Sequence, residues 1–223
     1  MKRIGFIVFP GFQVMSFAAL SVFEFANLAV GEPLYDLHVL SEDGGAVRSS
    51  VGLTVETEPF VAAAFDTLIV GGATSVTASS WRLRVFVSEA LVASRRVAGI
   101  CTGAFVLAEA GILDDRRVTT HWAFARELQG RFPKVKVEED RIFVIDGPVW
   151  TSAGMTAGID LALAMVEKDL GIELARRVAR KLVVYHRRAG GQSQFSALLA
   201  LEPKSDRIQS ALTYAKRNLQ KPL

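Results

Sequence analysis

A single cysteine, Cys101, stands in a chain of 223 residues, which excludes an internal disulfide framework and fits a reducing compartment. Long apolar runs are missing as well. The nearest approach to eighteen uncharged apolar residues, Val8 to Phe23, is broken by Pro10, Gly11, Gln13 and serines, and no small-residue cleavage site follows it. Neither a membrane span nor a signal peptide is therefore expected. Internal repeats and low-complexity tracts are also absent. What is present is a half-hydrophobic chain, enough to form the core of one large α/β domain with or without an appendage. The net charge of +3 hides a split: residues 1–175 carry 15 Lys/Arg against 21 Asp/Glu, and residues 176–223 carry 11 against 2. Either the basic end lies near a polyanion or an acidic partner surface, or its charges are solvated helix faces.

Strand and helix patterns alternate along the acidic body. Arg3 to Phe9 is apolar on both faces, as in the interior of a parallel sheet covered on both sides. Helical spacing then runs from Phe12 to Ala29, followed by a strand at Tyr35 to Leu40, a Gly44-Gly45 turn and an alternating edge or hairpin segment at Leu53 to Glu56. Asp66 to Val70 is a buried strand ending in Gly71-Gly72. That pair is either an anion-stabilising nest of N–H groups or a plain strand-to-loop turn. A helix over Trp81 to Ser94 precedes the central stretch. Beyond it come a short β-prone segment, Arg117 to Thr120, and a helix opened by His121-Trp122 and reaching Arg131. Val135 to Val137 and Ile142 to Ile145 read as a hairpin around the acidic Glu138-Glu139-Asp140, and Val149 to Ser152 as the last strand. Helices from Asp160 to Asp169 and from Glu173 to about Arg187 follow. This order is that of a doubly wound, mostly parallel sheet sandwiched by helices, in which ligands gather outside the strand carboxyl ends.

The central stretch is Val97 to Gly111. A short apolar run reads as a buried strand, Gly99-Ile100-Cys101-Thr102-Gly103 forces a sharp turn, and the Ala/Leu-rich remainder stopped by Gly111 reads as a helix, together a strand–turn–helix nucleophile elbow with Cys101 at its apex. The flanking glycines remove Cβ atoms that would clash in such a turn. A thiol held at a helix N-terminus is expected to favour the thiolate. His121, at a helix start after a strand, points to the same edge, and is read as a hydrogen-bonded structural residue ahead of a catalytic one. Residues 189–204 read as a linker, its Gly, Gln and Ser content concentrated in 189–196. Ser205 to Leu219 form a capped amphipathic helix that either docks on the body or a dimer partner, or opens a further domain.

Three segments together carry a resemblance: Ala98 to Leu113 around the elbow, Arg117-Val118-Thr119-Thr120-His121-Trp122, and Thr151-Ser152-Ala153-Gly154-Met155-Thr156-Ala157-Gly158-Ile159-Asp160. With Ile7-Val8-Phe9-Pro10, they resemble the ThiJ/PfpI branch of the class I glutamine amidotransferase-like superfamily, and more narrowly the sensor half of AraC-type transcriptional regulators. That resemblance implies a flavodoxin-like effector-sensing domain over 1–188, a linker over 189–204, and at 205–223 the lead-in helix of a DNA-binding domain otherwise absent. It implies a cytoplasmic homodimer, a small-molecule effector, and DNA bound through the absent helix-turn-helix domain; no metal, cofactor or membrane partner is expected. The effector would lie in a pocket floored by Cys101 and lined by Ser16, Gly71, Gly72, Thr102 and His121.

Isonitrile hydratases are similar in the same segments. For them the resemblance implies a Cys101 nucleophile, a carboxylate on the loop after the first strand, and amides near Gly72 and Thr102 as oxyanion donors. This sequence places Ser16 at the carboxylate position, and a hydroxyl holds no proton for acid–base work at neutral pH. Glu24, eight residues further along the helix, lies about 12 Å away along its axis. Thr102 also stands where protease-like members carry a histidine. Catalysis is thereby disfavoured, and the alternative of a cysteine-dependent isonitrile hydratase or amidase stays open beside the sensor. So do redox sensing at Cys101 and Cys101 as a relic of an enzymatic ancestor.

Overall fold

A computed structural model of the chain describes residues 1–61, 65–185, 188, 191 and 192. Among these residues an eight-stranded sheet is ordered β3-β4-β2-β1-β5-β6-β10-β9, with β1 at Lys2–Ile7, β2 at Tyr35–Ser41, β3 at Asp43–Arg48, β4 at Thr54–Pro59, β5 at Thr67–Val70, β6 at Arg96–Ile100, β9 at Phe143–Asp146 and β10 at Val149–Ser152. Its six inner strands pair in parallel, and β3 and β9 close the edges antiparallel. The doubly wound reading is thus observed. The central strands β5, β6 and β10 are buried along their whole length, which is why they read as continuous apolar runs rather than alternating ones.

Six helices flank the sheet among the described residues. One face carries α1 (Ala18–Val30), α5 (Ala157–Leu170) and α6 (Ile172–Lys181), whose Phe23, Leu161, Met165 and Val178 share a core with Phe6 and Ile69. The other carries α2 (Trp81–Ala93), α3 (Gly103–Glu109) and α4 (Trp122–Arg131), with Leu83, Val87, Phe105 and Leu128 over Ile7, Leu68 and Val70. Local signals set the helix ends: Ser80 Oγ accepts the Leu83 N–H at 3.0 Å to start α2, and Gly31 in the left-handed region ends α1.

Three expectations are corrected. Gly44 and Gly45 lie inside β3 rather than in a turn; the chain reverses over residues 49–53 instead. The hairpin around residues 138–140 does not form. β8 (Lys136–Val137) pairs in parallel with β7 (Arg117–Val118), and β9 pairs with β10 across Gly147-Pro148, so both candidate strands exist with other partners. The last helix stops at Lys181, well short of Arg187. There Val184 N–H donates to Ala179 O at 3.0 Å and Val183 N–H to Arg180 O at 3.2 Å, a Schellman turn. The linker expected over 189–204, apart from Gly191 and Gln192, and the helix expected over 205–223 lie outside the described residues.

The amino edge of the sheet is tied by buried charge. Asp169 at the end of α5 takes Arg96 at 2.5 Å and Arg95 at 2.6 Å, and accepts the Tyr35 hydroxyl at 3.1 Å. Burial alone would raise the Asp169 carboxyl; hydrogen bonds and charge from the two arginines outweigh it and hold the group below its ordinary value. The carboxyl edge of the strands, at the opposite end, is left for the site.

At that edge α3 sits almost on the sheet backbone. A Cβ on Gly103 would lie 2.4 Å from the carbonyl oxygen of Val70, and one on Gly99 would lie 3.0 Å from Ala104 N. Because the obstacle at Gly103 is backbone, Gly103→Ala is expected to destabilise the fold by about 3 kcal/mol or more, at the upper end of overpacking costs. Urea unfolding followed by circular dichroism checks this; a loss below about 1 kcal/mol would mean the helix can shift freely.

Candidate functional site

The elbow forms as its sequence suggests. Cys101 has φ +56, a left-handed conformation rare for a non-glycine residue, and joins β6 to α3 in a single step. Its backbone is fixed from both sides: its N–H donates to Ser152 O at 3.0 Å, and its carbonyl accepts the Thr120 hydroxyl at 2.7 Å. The sulfur is buried, with the residue 6% exposed.

Ser16 lies in a short 3-10 turn, Val14–Phe17, that returns the chain from β1 to α1. Its hydroxyl accepts the Gly72 N–H at 3.2 Å, while Gln13 N–H donates to Gly72 O at 2.8 Å. The Thr102 hydroxyl accepts the Ala73 N–H at 2.7 Å and donates to Ala73 O at 3.0 Å. Ser16, Gly71, Gly72, Cys101 and Thr102 are therefore together, but as a closed seam between the loops after β1, β5 and β6, all of them buried. The backbone N–H of Thr102 favours the charged form of the Cys101 sulfur. Of the two amides that could serve as oxyanion donors, that of Gly72 is already engaged by the Ser16 hydroxyl.

Burial pushes the Cys101 thiol up, and the N–H groups of Thr102 and Met155 only partly offset this. The expected preference for thiolate is corrected: α3 is only seven residues long, and desolvation of the charged form outweighs its amides. Among the described residues no carboxylate bears on the thiol.

His121 caps α4. Its Nδ1 accepts the Ala123 N–H at 3.2 Å, which leaves the proton on Nε2, and burial lowers its pKa, so the ring is neutral. It is a structural cap and also a site neighbour. A Cβ built on Gly154 would lie 2.2 Å from His121 Cδ2 and 3.1 Å from Cys101 Sγ, so ring and sulfur converge on this one glycine. Next to it Met155 is a second non-glycine residue in the left-handed region, at φ +54, which turns its N–H toward the sulfur.

The open space lies on the far side of Gly154. A cavity of about 610 Å³ is bounded by His121, Trp122, Ile142, the stretch Ala153–Ala157, Arg188 and Gln192. A second cavity, of about 280 Å³, lies across the elbow, lined by Glu42, Ser75–Ser80, Thr102 and Phe105 among others. Of the residues expected to line a single pocket, His121 faces the first and Thr102 the second. Cys101 lies behind Gly154, and Ser16, Gly71 and Gly72 are sealed in the seam. In the sequence Gly154 and Met155 read only as a lead into a helix, and Gln192 as part of a linker. A glycine two residues past the last strand was the one signal of close approach available. Among the described residues no cluster of His, Cys, Asp and Glu could hold a metal ion, and no helix is long and apolar enough to cross a membrane.

Comparison with known proteins gives one family and two kinds of relative. The profile of the DJ-1/PfpI family matches residues 2–168. The HTH-type transcriptional regulator CdhR of Pseudomonas aeruginosa is 40% identical over 188 residues, which cover 80% of this chain and 54% of the regulator. The isonitrile hydratase of Pseudomonas putida is 31% identical over 184 residues, 81% of this chain and 77% of the enzyme. Among solved structures, an AraC family transcriptional regulator from Pseudomonas putida superposes with a TM-score of 0.75 at 27% identity, covering 82% of this chain and all of that one. The chain thus spans little more than half the length of the curated regulator.

Two outcomes follow from the site geometry. Alkylation of Cys101 by iodoacetamide, which requires the thiolate, is expected to be slower at pH 7 than that of free cysteine. The midpoint of its pH–rate profile should lie above that of free cysteine, because burial raises the thiol; a midpoint below it would reverse the electrostatic account. Gly154→Ala is expected to displace the His121 ring and destabilise the chain by about 1–3 kcal/mol. Thermal unfolding together with the ring-proton NMR shifts of His121 reads both effects, and an unshifted ring would refute the contact.

Proposed function

The chain belongs to the DJ-1/PfpI family, and on that footing we propose that it is the effector-sensing part of an AraC-type, HTH-containing transcriptional regulator. In this reading it is a cytoplasmic homodimer, and DNA is bound by a region outside these 223 residues. A small amphipathic metabolite occupies the cavity over Gly154. Met155, Ile142 and the Trp122 ring supply the apolar wall, and neutral His121 and Thr156 the polar contacts. Arg188, which borders the same space, is engaged by Asp160, so the cavity is not built for a polyanion.

One observation carries the choice of binding over turnover: the Ser16 hydroxyl takes the Gly72 N–H, at the position where the hydratase resemblance calls for a carboxylate. A positioned acid or base contributes on the order of 10²–10⁴ in rate, and here that residue is replaced by a group that also consumes an oxyanion donor. Cys101 then lies buried behind Gly154, outside the cavity lining.

The test uses the 223-residue chain with an alkyl isonitrile and, separately, a panel of small metabolites in thermal-shift assays. The isonitrile is expected to be consumed no faster than in buffer. A stabilising metabolite should raise the melting temperature of wild type and Cys101→Ala alike, since a ligand at about 100 times its Kd contributes about 2.7 kcal/mol. Isonitrile turnover that vanishes in Cys101→Ser would overturn the sensor reading in favour of the hydratase.

A further inference from the structure

Beyond α6 the chain returns to the cavity. Gln192, 6% exposed, places its amide between two loops. Its Nε2 lies 2.8, 2.9 and 3.0 Å from the carbonyl oxygens of Glu139, Arg141 and Thr120, and its Oε1 accepts the Trp122 N–H at 2.9 Å. Arg188 forks onto Asp160, its Nε 3.0 and 2.9 Å from the two carboxylate oxygens, and reaches the Thr156 hydroxyl at 3.1 Å. Trp122 opens α4 and Thr156 caps α5, so the two side chains grip the starts of the two helices that border the cavity. A glutamine suits the first position because a donor and an acceptor are needed at once; no other side chain of that length except an amide offers both.

The turn that sends the chain back is itself strained. Val183 takes the left-handed position of the Schellman turn at φ +58, where a β-branched residue is strongly disfavoured. Such a conformation persists only when surrounding contacts over-determine it. The turn is held by its own two backbone hydrogen bonds and by Val184, which packs against the core, and further along Arg188 and Gln192 fix the returning chain beside the cavity.

We propose that Arg188 and Gln192 form a clasp that couples occupancy of the cavity over Gly154 to the position of the chain that continues beyond residue 192. The proposal rests on the reading of that cavity as the effector site and adds how occupancy is reported. One wall of the cavity is the clasp itself, so a molecule inside touches the segment that leads toward the C-terminal end. Coupling between the two is reciprocal by thermodynamic necessity.

The experiment uses the 223-residue chain and iodoacetamide, which places a carbamidomethyl group on Cys101 as a probe beside the cavity. The thiolate displaces iodide, the S–C bond forms, and iodide and the thiol proton are released. Gln192→Glu keeps the shape of the side chain but sets a carboxylate against three carbonyls. It is expected to speed alkylation of Cys101 about tenfold, the equivalent of one or two lost hydrogen bonds. Hydrogen exchange in peptides covering 188–192 should accelerate by a similar factor, with protection of β1 and β5 unchanged. In the reverse direction, alkylated wild type should exchange faster over 188–192 than the unmodified chain, which a purely structural clasp would not produce. Gln192→Leu serves as the second variant should Gln192→Glu fail to fold, with the same two changes expected. Unchanged exchange over 188–192 on alkylation of wild type overturns the coupling, as does an unchanged alkylation rate in the folded variant. Isonitrile turnover is a separate measurement, so failure of the sensor reading and failure of the clasp are told apart.

Discussion

The site depends on one steric fact, the approach of α3 to the backbone of β5 at Gly103. With its N-terminus pressed against the Val70 carbonyl, the helix begins just after β6 ends, and the chain makes this step through a left-handed residue at Cys101. Such a step at a non-glycine residue costs of the order of 1–3 kcal/mol. The Ser152 carbonyl and the Thr120 hydroxyl hold it from two neighbouring segments. The position of the sulfur is therefore set by how sheet and helix pack, and not by any interaction the sulfur makes. A fold that keeps this packing keeps the elbow whether or not the cysteine reacts.

What the elbow can do is decided by its neighbours. A reactive thiol needs its charge stabilised, a proton handler within reach, and free donors for the oxygen or nitrogen that gains charge. Here burial works against the charge, Ser16 stands where the hydratase resemblance calls for a carboxylate, and the amide of Gly72 is already hydrogen-bonded. His121 is neutral and spends Nδ1 on its own helix. On the proposed reading the elbow is a quiet surface behind Gly154, and the free volume beside it serves binding.

Much of this was legible in the sequence, for identifiable reasons. Parallel strands buried on both faces leave uninterrupted apolar runs, and glycines at fixed spacing around one cysteine mark a strand–turn–helix step; both signals are local. The errors came where a distant partner decides. Val135 to Val137 and Ile142 to Ile145 are β-prone and flank a polar turn, yet each finds a different partner strand, because β7 and β10 present backbone groups closer to hand. The neutral thiol escaped prediction because a helix start is visible in sequence and the depth of burial is not. Gln192 sits in a stretch whose composition reads as linker, and a single glutamine that satisfies two loops leaves no compositional trace.

The walls of the cavity are not held equally. The elbow side is fixed by sheet ladders and by backbone packed too closely to admit a Cβ, whereas on the wall beyond α6 the Gln192 amide and the Arg188 guanidinium bond loop carbonyls and side chains. Opening free energies within one fold range from near zero to the global value, and segments secured by a few side chains sit at the low end. A ligand shifts an equilibrium only by its differential affinity for the two states, and the shift appears in whichever element costs least to move. Under the proposed coupling that element is the stretch carrying Arg188 and Gln192. On that proposal, a floor fixed by backbone packing opposite a wall of side-chain contacts directs the binding free energy of a small molecule toward the end of the chain where the basic residues accumulate.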